Sequence, residues 1–328
     1  MQSISSPEGR VNPIQLNSLV EGIDASVNGF VQQIHQLIPA KLPHTFDKNF
    51  LLDVVNFLDK PEGDALYIAG PTGCGKTSGV LQVAAHLFWK VQQFTCYSNM
   101  ELSHLIGMYK LVAKQEGDAP SMQFVYGSLP VAMKYGHILL LNELDYADPG
   151  EVAGLNDVLE GRPLYIPETN QTIQPHENFR IIATGNSAGS GDDSGRYLGV
   201  NAQNMAFMDR FRVIKASYLP KDSELKALKN HFKDSEEIHP LLETMVGVAN
   251  SVRSGFNGSD SKDGTLSVTM STRTLIRWAN VLQEAWDVQK FPVKYGLERA
   301  LTNRCSDHEA VAITKIAKSA FTPQYFGE

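Results

Sequence analysis

From Leu66 onward, short apolar runs alternate with stretches in which apolar residues recur every three or four positions. That alternation is the pattern of a parallel α/β sheet. "ALYIAG" predicts a first core strand, and Lys76–Trp89 a helix with Val80, Val83, Ala84, Leu87 and Phe88 on one stripe. "QFTCYS" predicts a second strand, with Ser98 and Glu101 as a capping box opening the next helix. "GMYKLV" and "MQFVYG" flank the turn-rich "AKQEGDAP" and predict an inserted hairpin; "RPLYIPETNQTIQP" predicts another. His137–Asn142, "NFRIIATGN" and "FRVIKAS" supply the third, fourth and fifth core strands.

The pattern differs at both ends. Residues 1–45 form a weakly patterned, partly helical lead-in, with a helix expected around Val27–Leu37; Phe50–Leu58 has firmer helical spacing. After Leu219-Pro220 strand signals fade, and Lys221–Val252, Thr272–Gln289 and Val293–Ala320 are helical in pattern. The expected organisation is therefore a lead-in (1–45), an α/β domain (46–219) and a small all-α domain (220–328). The Gly/Ser-rich segment "SVRSGFNGSDSKDGTLS" separates two of those helices and predicts a mobile link.

Composition narrows the functional classes. A formal charge of −7 over 328 residues, with a pI near 5.7, argues against a broad nucleic-acid surface. No apolar run approaches a membrane span, and "MQSISSPEGR" lacks the pattern of a signal peptide. Cys74, Cys96 and Cys305 are widely spaced and predict reduced thiols in a cytoplasmic protein. The histidines are scattered, without zinc-site spacing.

The strongest chemical signal is "GPTGCGKT", Gly70–Thr77, which fits G-x-x-x-x-G-K-[ST] between a strand and a helix. Gly73 and Gly75 permit backbone dihedrals that turn consecutive N–H groups toward phosphate oxygens. Lys76 would place a charge on the β- and γ-phosphates, the Thr77 hydroxyl would ligate Mg²⁺, and the helix dipole favours the anion. Gly70, Pro71, Thr72, Gly73, Cys74, Gly75, Lys76, Thr77 and the following Ser78 are thus the expected nucleotide contacts.

A phosphate loop needs a second strand that brings an acceptor to the metal, and His137–Glu143 is the candidate. The usual aspartate is replaced by Asn142, followed by Glu143, which suits polarisation of the attacking water. Asn142 keeps a carbonyl acceptor but no charge. That change is expected to weaken metal binding by roughly 1–2 kcal/mol rather than abolish it. Asp145 is expected to restore some negative potential near the metal. Asn186, ending the fourth strand, is a candidate to orient the water; the alternative is a turn-forming asparagine. Arg210 in "FMDRFR" is a candidate to stabilise transition-state charge in a neighbouring subunit, against a plain surface ion pair. Arg273 in "STRTLIRW" is placed to reach the γ-phosphate, with Arg277 one turn on as its rival. "SAGSGDDSGRYLGVNAQN" lacks calcium-loop spacing and predicts a mobile loop.

With these pieces in place, the chain resembles the AAA+ ATPases of the MoxR class, CobS type, from about Phe46 to Phe321. The resemblance is carried by "GPTGCGKT", "LLLNELDYADP", "NDVLEGRPLYIPETNQTIQPHENFRIIATGNSAGSGDD", "MDRFRV", "MSTRTLIRWA" and "LTNRCSDHEA". It implies a P-loop AAA+ core followed by a helical lid. Lys76 and Thr77 would take the Walker A roles, Glu143 the catalytic Walker B role and Asn186 that of sensor 1. Arg210 would be the arginine finger and Arg273 the sensor-2 arginine. The hairpins at Met108–Gly127 and Arg162–Thr172 would be insertions facing the pore of a ring. The resemblance further implies ATP and Mg²⁺, a hexamer, and a protein partner with a von Willebrand factor A domain. Asn142 departs from the family pattern.

Three functional expectations follow: a ring ATPase that remodels a protein partner, a cobaltochelatase subunit driving cobalt insertion in cobalamin synthesis, or a nucleotide-gated scaffold whose hydrolysis has decayed at Asn142. A nucleic-acid motor is disfavoured by the acidic composition.

Overall fold

The computed structural model describes residues 9–113, 120–191, 197–257 and 266–327. Most of the "AKQEGDAP" turn, Asp192 and Asp193 of the Gly/Asp-rich loop, and 258–265 of the polar link lie outside the described residues. The chain divides into two compact units: Met1–Leu42, Phe46–Gly70 and Lys76–Ala216 in the first, and Pro43–Thr45, Pro71–Gly75 and Ser217–Glu328 in the second.

The first unit begins with β1 (Asn12–Gln15) and β2 (Ser26–Gly29), a small antiparallel pair. Its centre is a five-stranded parallel sheet of β3 (Ala65–Ala69), β4 (Val91–Thr95), β7 (Ile138–Asn142), β10 (Arg180–Gly185) and β11 (Phe211–Lys215). The strand order is β11-β3-β10-β7-β4. Between them lie two antiparallel hairpins, β5 (Gly107–Val112) with β6 (Ser121–Tyr126), and β8 (Leu164–Ile166) with β9 (Gln171–Ile173).

Alternate residues of the central strands feed two separate cores. Tyr67, Leu139, Leu141, Ile181 and Ala183 pack on one face, and Leu66, Ile68, Ile138, Leu140 and Ile182 on the other. Burial of both faces explains why these strands read as continuous apolar runs. The Lys76–His86 helix follows the phosphate loop, and Lys48–Asp59 packs beside it with Asp47 capping its start through Phe50 N.

Two expectations about the first unit are corrected. No helix covers Val27–Leu37: residues 26–29 form β2, and helix in the described lead-in is limited to a 3-10 turn at Leu16–Ser18. The cause is tertiary. Phe30 N donates to Leu87 O, and a Cβ on Gly29 would sit 2.8 Å from that same carbonyl, so the close approach fixes an extended chain. The capping box is also displaced: Glu101, not Ser98, caps Leu102–Ile106, reciprocally with His104.

In the second unit the predicted helical stretches resolve into shorter helices, Lys221–His231, His239–Asn257, Thr272–Ala285, Pro292–Ala300 and Asp307–Ala320. Their shared core includes Leu242, Met245, Trp278, Leu282, Leu297 and Ile313. Beneath it a buried ion pair joins Arg253 to both oxygens of Glu224, and Thr272 Oγ1 donates to the same carboxylate. Among the described residues no helix is long and apolar enough to cross a membrane.

Candidate functional site

The site is assembled where β3, β7 and β10 end. Gly70 N donates to Gly185 O, and a Cβ on Gly70 would overlap Ala216 O, so only glycine fits between these strands. Gly73 and Gly75 have φ of 72° and 100°, the left-handed region that a phosphate loop requires. Pro71, Gly73, Cys74 and Gly75 are half-buried; Thr72 and Ser78 are exposed.

Lys76, 6 % exposed, bonds Gly70 O at 2.6 Å and Asn186 Oδ1 at 3.2 Å. The Asn186 amide in turn donates to Glu143 Oε2 at 2.8 Å. Beside this chain of contacts, Thr77 Oγ1 donates to Asn142 Oδ1 at 2.8 Å. Five of the expected site residues, from three separate stretches of sequence, are therefore brought together in one cluster of side-chain hydrogen bonds.

Glu143 leaves the strand with φ 56° and ψ 44°, a left-handed conformation uncommon for a residue with a Cβ. Its N–H donates to Thr184 Oγ1 at 3.2 Å, which helps hold the turn. The turn ends the run of β7 and sets the half-buried carboxylate beside Asn186.

Asp145 is tied into the backbone next to Asn186. Its side chain is fully buried and its Oδ2 accepts from Asn186 N at 2.6 Å and Ser187 N at 3.0 Å. Burial raises its pKa, and the two backbone N–H groups and the Lys76 charge oppose that rise. The same burial, with the Asp145 and Glu143 carboxylates, pushes the Cys96 thiol up to about 12, so it stays a thiol.

Thr77, Asn142 and Glu143 offer a hydroxyl, an amide carbonyl and a carboxylate. This all-oxygen donor set fits a hard cation such as Mg²⁺, which takes few protein ligands beside phosphates and water. Among the described residues there is no group of three or more His, Cys, Asp or Glu able to hold a metal by itself.

Arg210 makes contacts of its own. Arg210 Nε and Nη2 bond Glu160 Oε1 at 2.9 and 2.5 Å, and Nη1 bonds Ala206 O. Glu160 was not legible as a partner, because the two are fifty positions apart. Arg273 is exposed in the first turn of Thr272–Ala285, as is Arg277 one turn later. Within that unit Tyr218 Oη donates to Thr72 O at 2.9 Å.

The two hairpins sit side by side: Tyr109 Oη donates to Glu168 O at 2.7 Å, and Tyr126 Oη to Gln171 Oε1. Met108, Leu111, Met122 and Tyr165 on them are exposed.

A family model described as AAA domain (dynein-related subfamily) matches residues 65–211. A second, CbbQ/NirQ/NorQ C-terminal, matches 235–319. The aerobic cobaltochelatase subunit CobS of Sinorhizobium sp is 30% identical over 259 residues, covering 77% of this chain and 74% of that protein. The chain belongs to the MoxR class of AAA+ ATPases, in its CobS-like branch. This MoxR-class chain is also 26% identical over 279 residues to the uncharacterized protein YojN of Bacillus subtilis (strain 168), covering 84% of the chain and 83% of YojN. Among solved structures, the Thermotoga maritima RuvB Holliday junction branch migration motor aligns with a TM-score of 0.45 and 12% identity, over 89% of this chain and 75% of that one.

Proposed function

We propose that this MoxR-class chain hydrolyses ATP with Mg²⁺ and works as a ring to remodel or activate a protein partner, one with a von Willebrand factor A domain. The observation that carries the catalytic part is the bridging position of Asn186, bonded to Lys76 on one side and Glu143 on the other. A residue so placed can align a water against the γ-phosphate held by Lys76, while the Glu143 carboxylate accepts that water's proton as it attacks. Thr77 and Asn142 would hold Mg²⁺, which when bound neutralises charge on the β- and γ-phosphates. Arg273 would reach the γ-phosphate as sensor 2, and Arg210, once released from Glu160, would serve a neighbouring copy. The exposed Leu198 and Met205, on the segment leading to Arg210, are apolar surface that such a neighbour would cover. The exposed hairpin residues would face the pore or the partner.

The deciding experiment compares ATP turnover and ATP binding in the wild type and Glu143→Gln. Turnover is expected to fall roughly 10²–10⁴-fold, with affinity held within about threefold, since Glu143 meets the water rather than the phosphates. A wild type that binds ATP and never hydrolyses it, alone or with partner, would leave the nucleotide-gated scaffold, the reading that Asn142 favours. Similarity to CobS favours a third reading, an ATPase subunit for cobalt insertion. Co-purification of a large chelatase subunit with the Glu143→Gln variant would select it.

A further inference from the structure

We propose that Asp145 is a positioning residue that holds Asn186 in reach of Lys76 and Glu143 by serving as a hydrogen-bond acceptor, not by lending charge to the metal. The inference rests on the reading of Asn186 given above.

The turn after β7 ties together the pieces around it. Asp145 Oδ2 takes both Asn186 N and Ser187 N, the first two N–H groups beyond β10. The Asp145 backbone carbonyl accepts from Asn201 N at 2.7 Å, and Asn201 Nδ2 reaches the carbonyls of Tyr146 and Ala147 at 3.2 Å. The strand that ends in Asn142 and the strand that ends beside Asn186 are thus joined beyond their last ladder bond.

The bonding is one-sided. Asp145 Oδ1 is buried without a hydrogen-bond partner, and so is Tyr67 Oη. A Cβ on Gly185 would overlap Tyr67 Oη and lie 3.0 Å from Asp145 Cγ, so both groups crowd the same glycine. One oxygen therefore does the work of the carboxylate. An asparagine amide oxygen can accept the same two N–H groups without carrying the charge. A charge role and an acceptor role consequently make opposite claims about Asp145→Asn.

The test uses the full chain with Asp145→Ala, Asp145→Asn and Glu143→Gln, reading ATP turnover, ATP affinity and site-resolved amide hydrogen exchange without nucleotide. In Asp145→Ala, turnover is expected to fall about ten- to a hundredfold with affinity within about threefold, and Asn186 and Ser187 amides to exchange at least about tenfold faster. Asp145→Asn is expected to stay within about threefold of wild type in turnover and exchange, because acceptor geometry survives the loss of charge. Glu143→Gln should leave those amides unchanged. The proposal is overturned if Asp145→Ala exchanges at wild-type rates there, or if Asp145→Asn is as slow in turnover as Asp145→Ala. Should Asp145→Ala fail to fold, Asp145→Asn decides alone: wild-type turnover and exchange support it, and loss of either overturns it. Should the wild type itself not hydrolyse ATP, the catalytic reading fails, while the exchange data still decide whether Asp145 holds these two amides.

Discussion

At the end of the sheet where the strands begin, Arg180 is buried and donates to the backbone carbonyls of Leu58, Glu177 and Phe179 at 2.7–3.1 Å. Its guanidinium lies 5.8 Å from the Trp89 ring, and Arg10 approaches the same ring at 5.5 Å. At the other end, the bonds of the buried Lys76 include one to the Gly70 carbonyl and one to the side chain of Asn186. Thr77, Asn142, Glu143 and Asn186 around it pair largely with one another's side chains. Leu58 O belongs to the Lys48–Asp59 helix, and Glu177 and Phe179 to the turn that enters β10; such backbone acceptors cannot rotate away, whereas side chains can turn to a new partner. One end of the sheet is therefore locked, and the other is satisfied in a way that an incoming phosphate can replace.

The sharpest way to break that contrast is to remove one cation from each end. Lys76→Ala should weaken ATP binding by about a hundredfold or more, measured by titration with a fluorescent nucleotide, because a buried charge facing the phosphates is lost. Its melting temperature should move less than that of Arg180→Ala. The latter removes the Arg180 bonds to the Glu177 and Phe179 carbonyls and leaves Leu58 O to Arg10 alone, and is expected to cost about 3 kcal/mol in denaturant unfolding, with nucleotide affinity per folded molecule unchanged. Equal loss of affinity in both variants would end the distinction.

Acidity sharpens the same comparison from the locked end. His137, just before β7, is 1 % exposed. Burial first, then the charges of Lys90, His35 and His176, hold its pKa down at about 4. The unfolded chain takes up this proton near the ordinary histidine value and the folded chain does not. Stability from this group is thus complete above about pH 6.5 and declines as pH falls toward 4, by at most about 3 kcal/mol. His137→Gln should flatten that part of the curve in urea unfolding across pH. A variant with an unchanged slope would assign the effect to other groups.

How much of this was legible in the sequence follows the reach of each interaction. The five core strands, the phosphate loop and both hairpins are local patterns, so apolar runs and turn residues announced them. Asn186 and Glu143 could be named because each ends a recognisable strand. What stayed hidden depends on distant partners. β2 is extended because Leu87 O receives Phe30 N; the Ser128–Tyr135 helix, by contrast, went unread although Gly127 stands at its N-cap and Pro130 in its first turn. The backbone bonds of Asp145 were hidden because spacing along the chain cannot show which way a buried turn folds its side chain. Arg210 and Glu160 meet across fifty positions with no pattern to pair them.

The smallest expected effect concerns the residue that departs from the family pattern. Asn142 accepts the Thr77 hydroxyl proton at 2.8 Å, so its Oδ1 faces the group expected to ligate Mg²⁺. A hydrogen bond from that hydroxyl, or from a metal-bound water, needs only an acceptor, which the amide oxygen supplies. What it lacks is the charge, worth about 1–2 kcal/mol for such a bond. Asn142→Asp should therefore lower the Mg²⁺ concentration for half-maximal turnover about five- to thirtyfold, with little change in ATP affinity measured without metal. Aspartate would also bring a third carboxylate close to Glu143 and Asp145, and their mutual repulsion without metal should lower stability slightly. A large rise in turnover at saturating Mg²⁺ would instead mean that the asparagine holds the chain near the scaffold end of its range. No change in metal dependence would place the metal away from Thr77 and Asn142, and the exchangeable end of the sheet would then owe its side-chain pairing to the water-aligning group Asn186–Glu143 alone.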